Sequence, residues 1–160
     1  LQTMIKTLWM AATDAGQDAR RMPEAMRSPL VALQDLLLLA ARLFVAKAFF
    51  WSGLTKVRDW ETTLALFQDE YQVPLVSPQL AALAGTAGEL LLPLLLVLGL
   101  AGRFGAAGLF VLNAVAVISL AEIAPAAFMQ HQLWGALLLL VWLWGPGRLS
   151  LDRWLFTRSN

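Results

Sequence analysis

The chain has 160 residues, of which 59% are hydrophobic and 14% are charged, and its net charge is +1. Soluble domains average about 45–50% apolar and about 25% charged residues, so this composition excludes a soluble enzyme, a secreted module and a disordered linker. The absence of cysteine excludes disulfides, zinc–thiolate sites, iron–sulfur clusters and thiol nucleophiles. The net charge gives no reason to expect a nucleic acid partner, and a small integral membrane protein is the class that remains.

Four stretches of the chain contain the run of about 20 mostly apolar residues that a helix needs to cross a bilayer. They are residues 33–54, 80–100, 104–121 and 127–144. Ser28-Pro29 and Ser77-Pro78 are typical of helix starts, with a capping side chain before a proline in the first turn. Gly145-Pro146-Gly147 is typical of a helix stop. The pattern predicts an all-α integral membrane protein, built as a bundle of four transmembrane helices.

The basic residues predict the orientation of this bundle. Four spans place both termini on the same side of the membrane, and eight of the twelve basic residues fall on that side. Only Lys56 and Arg58 fall in the loops of the opposite side. Because cytoplasmic segments carry the excess of Lys and Arg, both termini are predicted to be cytoplasmic.

Two segments outside the spans have helical periodicity. Residues 1–28 are predicted to form a cytoplasmic arm, either an amphipathic helix or a loosely ordered segment, ahead of a membrane domain over residues 29–160. The apolar positions of the arm are Ile5, Leu8, Trp9 and Ala12. Between the first two spans, Leu64, Phe67 and Tyr71 lie three and four residues apart, which predicts a short helix on the outer face.

Polar side chains inside the predicted spans are candidates for function, because each is costly in hydrocarbon unless it is paired or lines a cavity. The first span contains Arg42 and Lys47, the second contains Glu89 and the third contains Asn113. A rise of about 1.5 Å per residue puts all four at similar depths. We therefore expect a polar cluster in which Glu89 pairs with Arg42 or Lys47. Such a pair either belongs to a binding site or only fixes the register of the helices.

A second constellation consists of Glu122 and His131, which flank Pro125 at the outer end of the third and fourth spans. An imidazole at this position could pass protons or cap a quinone head group. The alternative interpretation is a hydrogen-bonding anchor at the membrane interface.

Three motifs of the chain resemble patterns of DoxX-type membrane proteins, namely R…G-x-x-K-x-x-D, E…L-G-L…R and G-P-G-x-x-S-x-D. The residues that carry the resemblance are, in the same order, Arg42 with Gly53, Lys56 and Asp59; Glu89 with Leu98-Gly99-Leu100 and Arg103; and residues 145–152. The order and spacing of the three motifs make the resemblance specific over about residues 36–155.

The resemblance implies a four-helix bundle in a bacterial inner membrane and singles out Arg42, Lys56 and Glu89. Members of this family include a subunit of thiosulfate:quinone oxidoreductase and proteins linked to quinone detoxification or oxidative stress. The remaining candidates, which depth and charge alone select, are Lys47, Asn113, Glu122 and His131.

The first hypothesis is an inner-membrane component of a redox system, as a quinone-interacting or accessory subunit of an oxidoreductase complex in sulfur–quinone chemistry or oxidative stress. Glu89 is the candidate catalytic residue, as a proton donor. The candidates for binding a quinone or another small ligand are Arg42, Lys47, Lys56, Asn113, Glu122 and His131. The sequence contains no metal ligand set and no intrinsic cofactor site, so we do not expect catalysis by this chain alone. A redox role requires a bound quinone or other membrane subunits.

Two other functions remain open at this stage. Small residues along the helix faces would suit a non-catalytic structural or assembly subunit of a larger membrane complex. Alternatively, Glu89 and the cations could form the site of a small transporter for a weak acid or a sulfur compound. The lipid bilayer is a partner under every hypothesis.

Overall fold

The computed structural model describes the backbone of residues 24–156 and the side chains of residues 29–155. The helices of this part of the chain are α1 (Glu24–Arg58), α2 (Trp60–Asp69), α3 (Pro78–Leu98), α4 (Gly102–Ser119), α5 (Pro125–Trp144) and α6 (Leu151–Phe156). Residues Pro29–Arg58 of α1, together with α3, α4 and α5, are long and apolar enough to cross a membrane. The prediction of an all-α protein with four transmembrane helices is confirmed.

The chain divides into two compact units, Leu1–Leu36 and Leu37–Asn160. The described part of the first unit is the amino-terminal end of α1, from Glu24 onward. The predicted arm over residues 1–28, with its apolar positions up to Ala12, lies mostly outside the described residues. The packing described below is that of the second unit.

The start of α1 differs from the prediction. Ser28-Pro29 was expected to begin the helix, but α1 already includes Glu24 and holds Pro29 inside it. Proline at this position removes one backbone hydrogen bond within the first two turns, which a long helix tolerates. At its other end, α1 continues beyond residue 54 to Arg58, because Lys56 and Arg58 in the last turn interact favourably with the negative end of the helix dipole.

The predicted helix start at Ser77-Pro78 and the predicted helix stop at Gly145 are confirmed by their caps. The hydroxyl of Ser77 accepts a hydrogen bond from the N–H of Leu80 at the start of α3. Gly145 ends α5, and its N–H donates to the carbonyl of Val141 at 2.8 Å. The predicted short helix between the first two spans is α2. Its N-cap is Asp59, whose pKa is lowered by hydrogen bonds from the hydroxyl and the N–H of Thr62.

Two apolar clusters hold the second unit together. The larger cluster joins all four long helices through Val45 of α1, Leu96 of α3, Leu109 of α4 and Leu138 of α5. The smaller cluster packs Phe67 of α2 against the alanines at the start of α3. Since lipid tails are as apolar as these side chains, close van der Waals packing rather than exclusion of water favours this association.

The segment that follows α2 is tied to the end of α4. The N–H of Gln72 donates to the carbonyl of Ser119 at 2.8 Å, and Tyr71 forms an antiparallel bridge with Leu120. This connection closes one end of the space between α2, α3 and α4.

The turn between α3 and α4 depends on the absence of a side chain at Gly99. Gly99 has a φ of 62°, in the left-handed region, and a Cβ atom there would lie 2.5 Å from Cβ of Ser150 and 2.8 Å from Nη2 of Arg42. Alanine at this position is therefore strained by its backbone and also collides with two neighbours.

We expect Gly99→Ala to lower the free energy of unfolding in detergent by about 1–3 kcal/mol, the usual cost of a strained backbone. The matched control is Gly85→Ala, since a Cβ at Gly85 meets only Phe67, at 3.6 Å. Helical propensity predicts that this control is neutral or more stable by about 0.5–1 kcal/mol. Equal stability of the two variants in a denaturant titration followed by circular dichroism would contradict the role of Gly99.

Candidate membrane-embedded binding site

An ion pair inside the bundle connects α1 with the middle of α3. The ammonium of Lys56 donates to Oε1 of Glu89 at 2.6 Å and to Oε2 at 2.5 Å. It also donates to the hydroxyl of Ser52 at 3.0 Å, one turn earlier on α1. Both charged side chains are 15% exposed. All three donor positions of the ammonium are thus engaged, and the two charges compensate each other in a largely apolar setting.

Gly53 explains why these side chains meet. A Cβ atom at Gly53 would lie 3.0 Å from the side chain of Leu90 and 3.1 Å from Cβ of Glu89, so α1 and α3 approach each other closely there. Helical side chains lean toward the amino terminus of their own helix. Lys56, three residues after Gly53, therefore reaches back toward the contact point and toward Glu89.

The expected pairing of Glu89 with Arg42 or Lys47 is wrong. The depths of the polar residues were estimated from the midpoint of each predicted span. In the structure α1 extends beyond its predicted carboxyl end, so Lys56 lies on a helix instead of in a loop. Lys56 then occupies both carboxylate oxygens of Glu89. The four polar residues predicted to cluster consequently separate into distinct environments.

Arg42 is buried to 1% exposure and binds only backbone carbonyls among its hydrogen-bond partners. Its Nε donates to Leu96 at 2.7 Å and its Nη2 to Val97 at 2.5 Å, both in the last turn of α3. Its Nη1 donates to Pro146 at 2.7 Å and to Leu149 at 2.8 Å. These bonds use four of the five N–H groups of the guanidinium. The geometry therefore favours a structural role for Arg42.

The carboxyl-terminal motif completes this structural unit. The carboxylate of Asp152 accepts hydrogen bonds from the N–H groups of Ala101 and Gly102 at 2.8 and 3.0 Å, at the start of α4. In return, the N–H of Asp152 donates to the carbonyl of Gly99 at 3.0 Å. A carboxylate at a helix N-terminus satisfies donors that have no partner within the helix.

A cavity of about 160 Å³ lies against the Lys56–Glu89 pair. Its walls come from α2, from residues 71–76, from the first half of α3 and from the second half of α4. Apart from the ion pair, Tyr71 and Ser119, the lining is apolar; it consists of Phe67, Val73, Val76, Ala81, Ala84, Gly85, Leu112, Val115 and Ala116. The cavity thus combines one charged end with apolar sides and two hydroxyl groups.

Ser119 is the polar group of this lining that lacks a partner. Its side chain is buried to 1% exposure, and its hydroxyl has no hydrogen-bond partner among the described residues. A buried hydroxyl without a partner costs roughly 1–3 kcal/mol. The hydroxyl of Thr86 on α3, which does not line the cavity, likewise has no partner among the described residues.

Tyr71 adds a second hydroxyl to the lining. Burial raises the pKa of its phenol, and the charges of Glu89 and Glu70 raise it further. The phenol is therefore neutral and available as a donor over the physiological range.

Asn113 and His131 form a separate contact between α4 and α5. The amide nitrogen of Asn113 donates to the carbonyl of His131 at 2.9 Å, so its oxygen faces Nδ1 of the imidazole at 2.8 Å. This arrangement puts the proton on Nδ1. The ring of His131 also packs edge-on against Trp134. Neither residue lines the cavity, and Glu122 is exposed in the loop after α4. The expected constellation of Glu122 with His131 is replaced by the Asn113–His131 pair.

The predicted candidates therefore divide as follows. Lys56 and Glu89 meet at the cavity, Arg42 lies in the turn region, Asn113 pairs with His131, and Lys47 faces another surface of α1. Ser119 and Tyr71 were missed as site residues. The available signal was the spacing of Leu112, Val115, Ala116 and Ser119, which places Ser119 on the same face of α4 as the cavity-lining apolar residues.

Comparison with known proteins agrees with the motifs. The family model named DoxX matches residues 37–122, more than half of the chain. The matched range includes the ion pair and every residue that lines the cavity. No curated protein and no solved structure matches the chain.

We expect Arg42→Lys to destabilise the protein by roughly 2–5 kcal/mol, because a lysine ammonium cannot reach four carbonyls that lie around a planar fork. Arg58→Lys is the matched control, since Arg58 is exposed at the end of α1. The free energy of unfolding in detergent distinguishes the two variants. A change of less than 0.5 kcal/mol, about the range of ordinary surface substitutions, would contradict the structural role of Arg42.

We expect Tyr71, the one tyrosine of the sequence, to ionise at a higher pH in the native protein than in the unfolded chain. Ultraviolet absorbance of tyrosinate measures this directly. Because the native pKa is raised, the contribution of Tyr71 to the free energy of unfolding is fully present below the ordinary tyrosine pKa, and it is lost as the pH rises from there through the native pKa.

Glu89→Gln removes one of the charges that raise the pKa of Tyr71, so the native titration should move to lower pH. Glu61→Gln, at an exposed carboxylate in the first turn of α2, should leave the titration unchanged. An identical Tyr71 titration in Glu89→Gln and in the parent protein would show that Glu89 does not act on the phenol.

Proposed function

Since the chain belongs to the DoxX family of membrane proteins, we propose that it is the quinone-binding membrane subunit of a redox system. The quinone head group lies in the cavity against Lys56 and Glu89. One observation carries this proposal: an apolar cavity has an ion pair at one end and the buried, unpartnered hydroxyl of Ser119 in its lining.

The donors of the cavity suit the two carbonyl oxygens of a quinone. The ammonium of Lys56 would exchange its hydrogen bond to Ser52 for one to a quinone carbonyl and stabilise negative charge as it develops there. The hydroxyls of Ser119 and Tyr71 are neutral donors for the other carbonyl. The apolar side chains, among them Phe67 and Leu112, would contact the ring and its substituents.

Glu89 has two roles in this proposal. As a carboxylate it holds the ammonium of Lys56 in place by the observed pair of hydrogen bonds. It is also the carboxyl group of the cavity that can hold a proton and pass it to the ligand. A bound quinone would supply the redox chemistry, as an acceptor of electrons and protons.

The electrons come from a redox cofactor, such as a reduced flavin, on a partner subunit. The sequence of 160 residues contains no cysteine and one histidine. It therefore offers no cluster of its own side chains that carries electrons, and other membrane subunits are part of the proposal.

The proposed location is the bacterial inner membrane, with both termini on the cytoplasmic side, as the distribution of basic residues favours. In this orientation the first half of α3 and the second half of α4 lie in the outer half of the bilayer. The cavity is thereby accessible to a lipid-soluble ligand from the outer leaflet.

We expect the protein, purified gently in nanodiscs, to retain quinone in a fixed ratio in its lipid extract. A short-chain quinone titrated into quinone-free protein should bind with about tenfold to hundredfold lower affinity in Glu89→Gln, because the carboxylate that holds the ammonium of Lys56 beside the cavity is lost. Quenching of tryptophan fluorescence reports binding. Glu61→Gln is the control with the same chemical change outside the cavity.

Ser119→Ala separates binding from folding. Because the hydroxyl of Ser119 has no partner in the described structure, its removal should leave the melting temperature unchanged or slightly higher while it weakens quinone binding several-fold. Unchanged affinity in both Ser119→Ala and Glu89→Gln would contradict the proposed site. A fixed set of larger proteins that co-purifies without quinone would instead support a non-catalytic structural subunit.

A further inference from the structure

A second cavity, of about 380 Å³, lies between α1 and α3 and shares no residue with the first. Four residues of α1, from Leu43 to Phe50, form one wall, and four residues of α3, from Pro93 to Leu98, form the other. Seven of these eight side chains are apolar. The exception is Lys47, so this groove, which we term the α1–α3 groove, has apolar walls and one cation.

Lys47 differs from two other cations of this span, Arg42 and Lys56, which are bonded within the chain. Arg42 binds four carbonyls and Lys56 binds a carboxylate, whereas Lys47 is exposed and has no hydrogen bond or ion pair with any described residue. A charge within a membrane span is costly without a partner. The missing partner of Lys47 is therefore expected outside this chain, and an anion would compensate its charge as well as accept its hydrogen bonds.

The α1–α3 groove extends to Leu98, the last residue of α3. The ammonium of Lys47 is therefore within reach of the membrane surface on that side. Arg42 binds the carbonyls of Leu96 and Val97 in the last turn of α3, so Arg42 lies close to the level where this helix ends. Lys47 is five residues further along α1, which corresponds to about 7.5 Å. A lysine can bury its methylene stem against apolar walls while its ammonium extends toward the interface.

We propose that the α1–α3 groove binds an anionic phospholipid. One acyl chain lies along the apolar walls, and the phosphate accepts hydrogen bonds from the ammonium of Lys47. The acyl chain matches the walls of the groove, because these are apolar over their whole length. The phosphate matches Lys47, because its negative charge is opposite to that of the ammonium. Zwitterionic phospholipids share the acyl chains but carry a compensating cation beside the phosphate, so they bind more weakly.

The test compares phosphatidylglycerol with phosphatidylcholine, each added to delipidated protein in detergent and measured by native mass spectrometry. The parent protein should retain at least one phosphatidylglycerol and about tenfold less phosphatidylcholine at equal concentration. Lys47→Gln should lose this preference, whereas Lys47→Arg should keep it. Arg58→Gln, which removes an exposed cation of α1 outside the groove, should also keep it.

The inference is overturned if Lys47→Gln retains phosphatidylglycerol like the parent protein, or if the two lipids are retained equally by the parent. It is also overturned if Lys47→Gln loses a co-purifying membrane protein but keeps the lipid preference, since a carboxylate of a partner helix would then be the anion. Leu43→Trp, which narrows the groove but keeps the cation, should weaken retention of phosphatidylglycerol; full retention would contradict the acyl-chain contact. None of these outcomes depends on quinone binding.

Discussion

Backbone carbonyls at the end of a helix have no donor within that helix, and the hydrocarbon core offers no water to replace it. The guanidinium of Arg42 donates hydrogen bonds to carbonyls in two places, the last turn of α3 and the turn before α6. Its positive charge is also favourable at the negative end of the α3 dipole. Gly99 and Asp152 follow from this contact: the first leaves room for Arg42 and Ser150, and the second caps α4 across the same turn. One buried cation thus joins α1, α3 and the carboxyl-terminal segment.

Among the cations of α1, Arg42, Lys47 and Lys56 differ in how many of their donor positions are bonded within the chain, and each suits a different role. Arg42 is surrounded by carbonyls and is almost fully buried, so it stabilises the fold. Lys56 is satisfied by Glu89 and Ser52, yet it borders a cavity and can exchange a contact with the helix for one with a ligand. Lys47 has no partner in the described chain and is exposed, which suits an external anion. The proposed quinone and phospholipid sites differ accordingly in charge, since the quinone cavity contains a compensated ion pair and the α1–α3 groove contains an uncompensated ammonium.

The cavity owes its shape to a connection that lies outside the long helices. Residues 71–76 cross from α2 to α3, and the hydrogen bond from Gln72 to Ser119 holds them against the end of α4. The same connection brings the hydroxyl-bearing side chains of Tyr71 and Ser119 into the lining that also contains the ion pair of α1 and α3. The cavity therefore combines polar groups with apolar walls in a space that a small ring can fill. The proposed binding of a quinone depends on this combination.

The sequence by itself determined the number of transmembrane helices, the start of α3 at Ser77, the end of α5 at Gly145 and the short helix α2. These features depend on local hydropathy, capping and turn residues, which neighbouring positions in the chain specify. Motif resemblance also selected Lys56 and Glu89, although not their contact. Only the tertiary structure decided that Lys56, rather than Arg42 or Lys47, pairs with Glu89, and that Ser119 lines the cavity. The reason is that pairing depends on the offset and rotation of one helix against another, and the close approach at Gly53 sets both; no periodicity within a single helix contains that information.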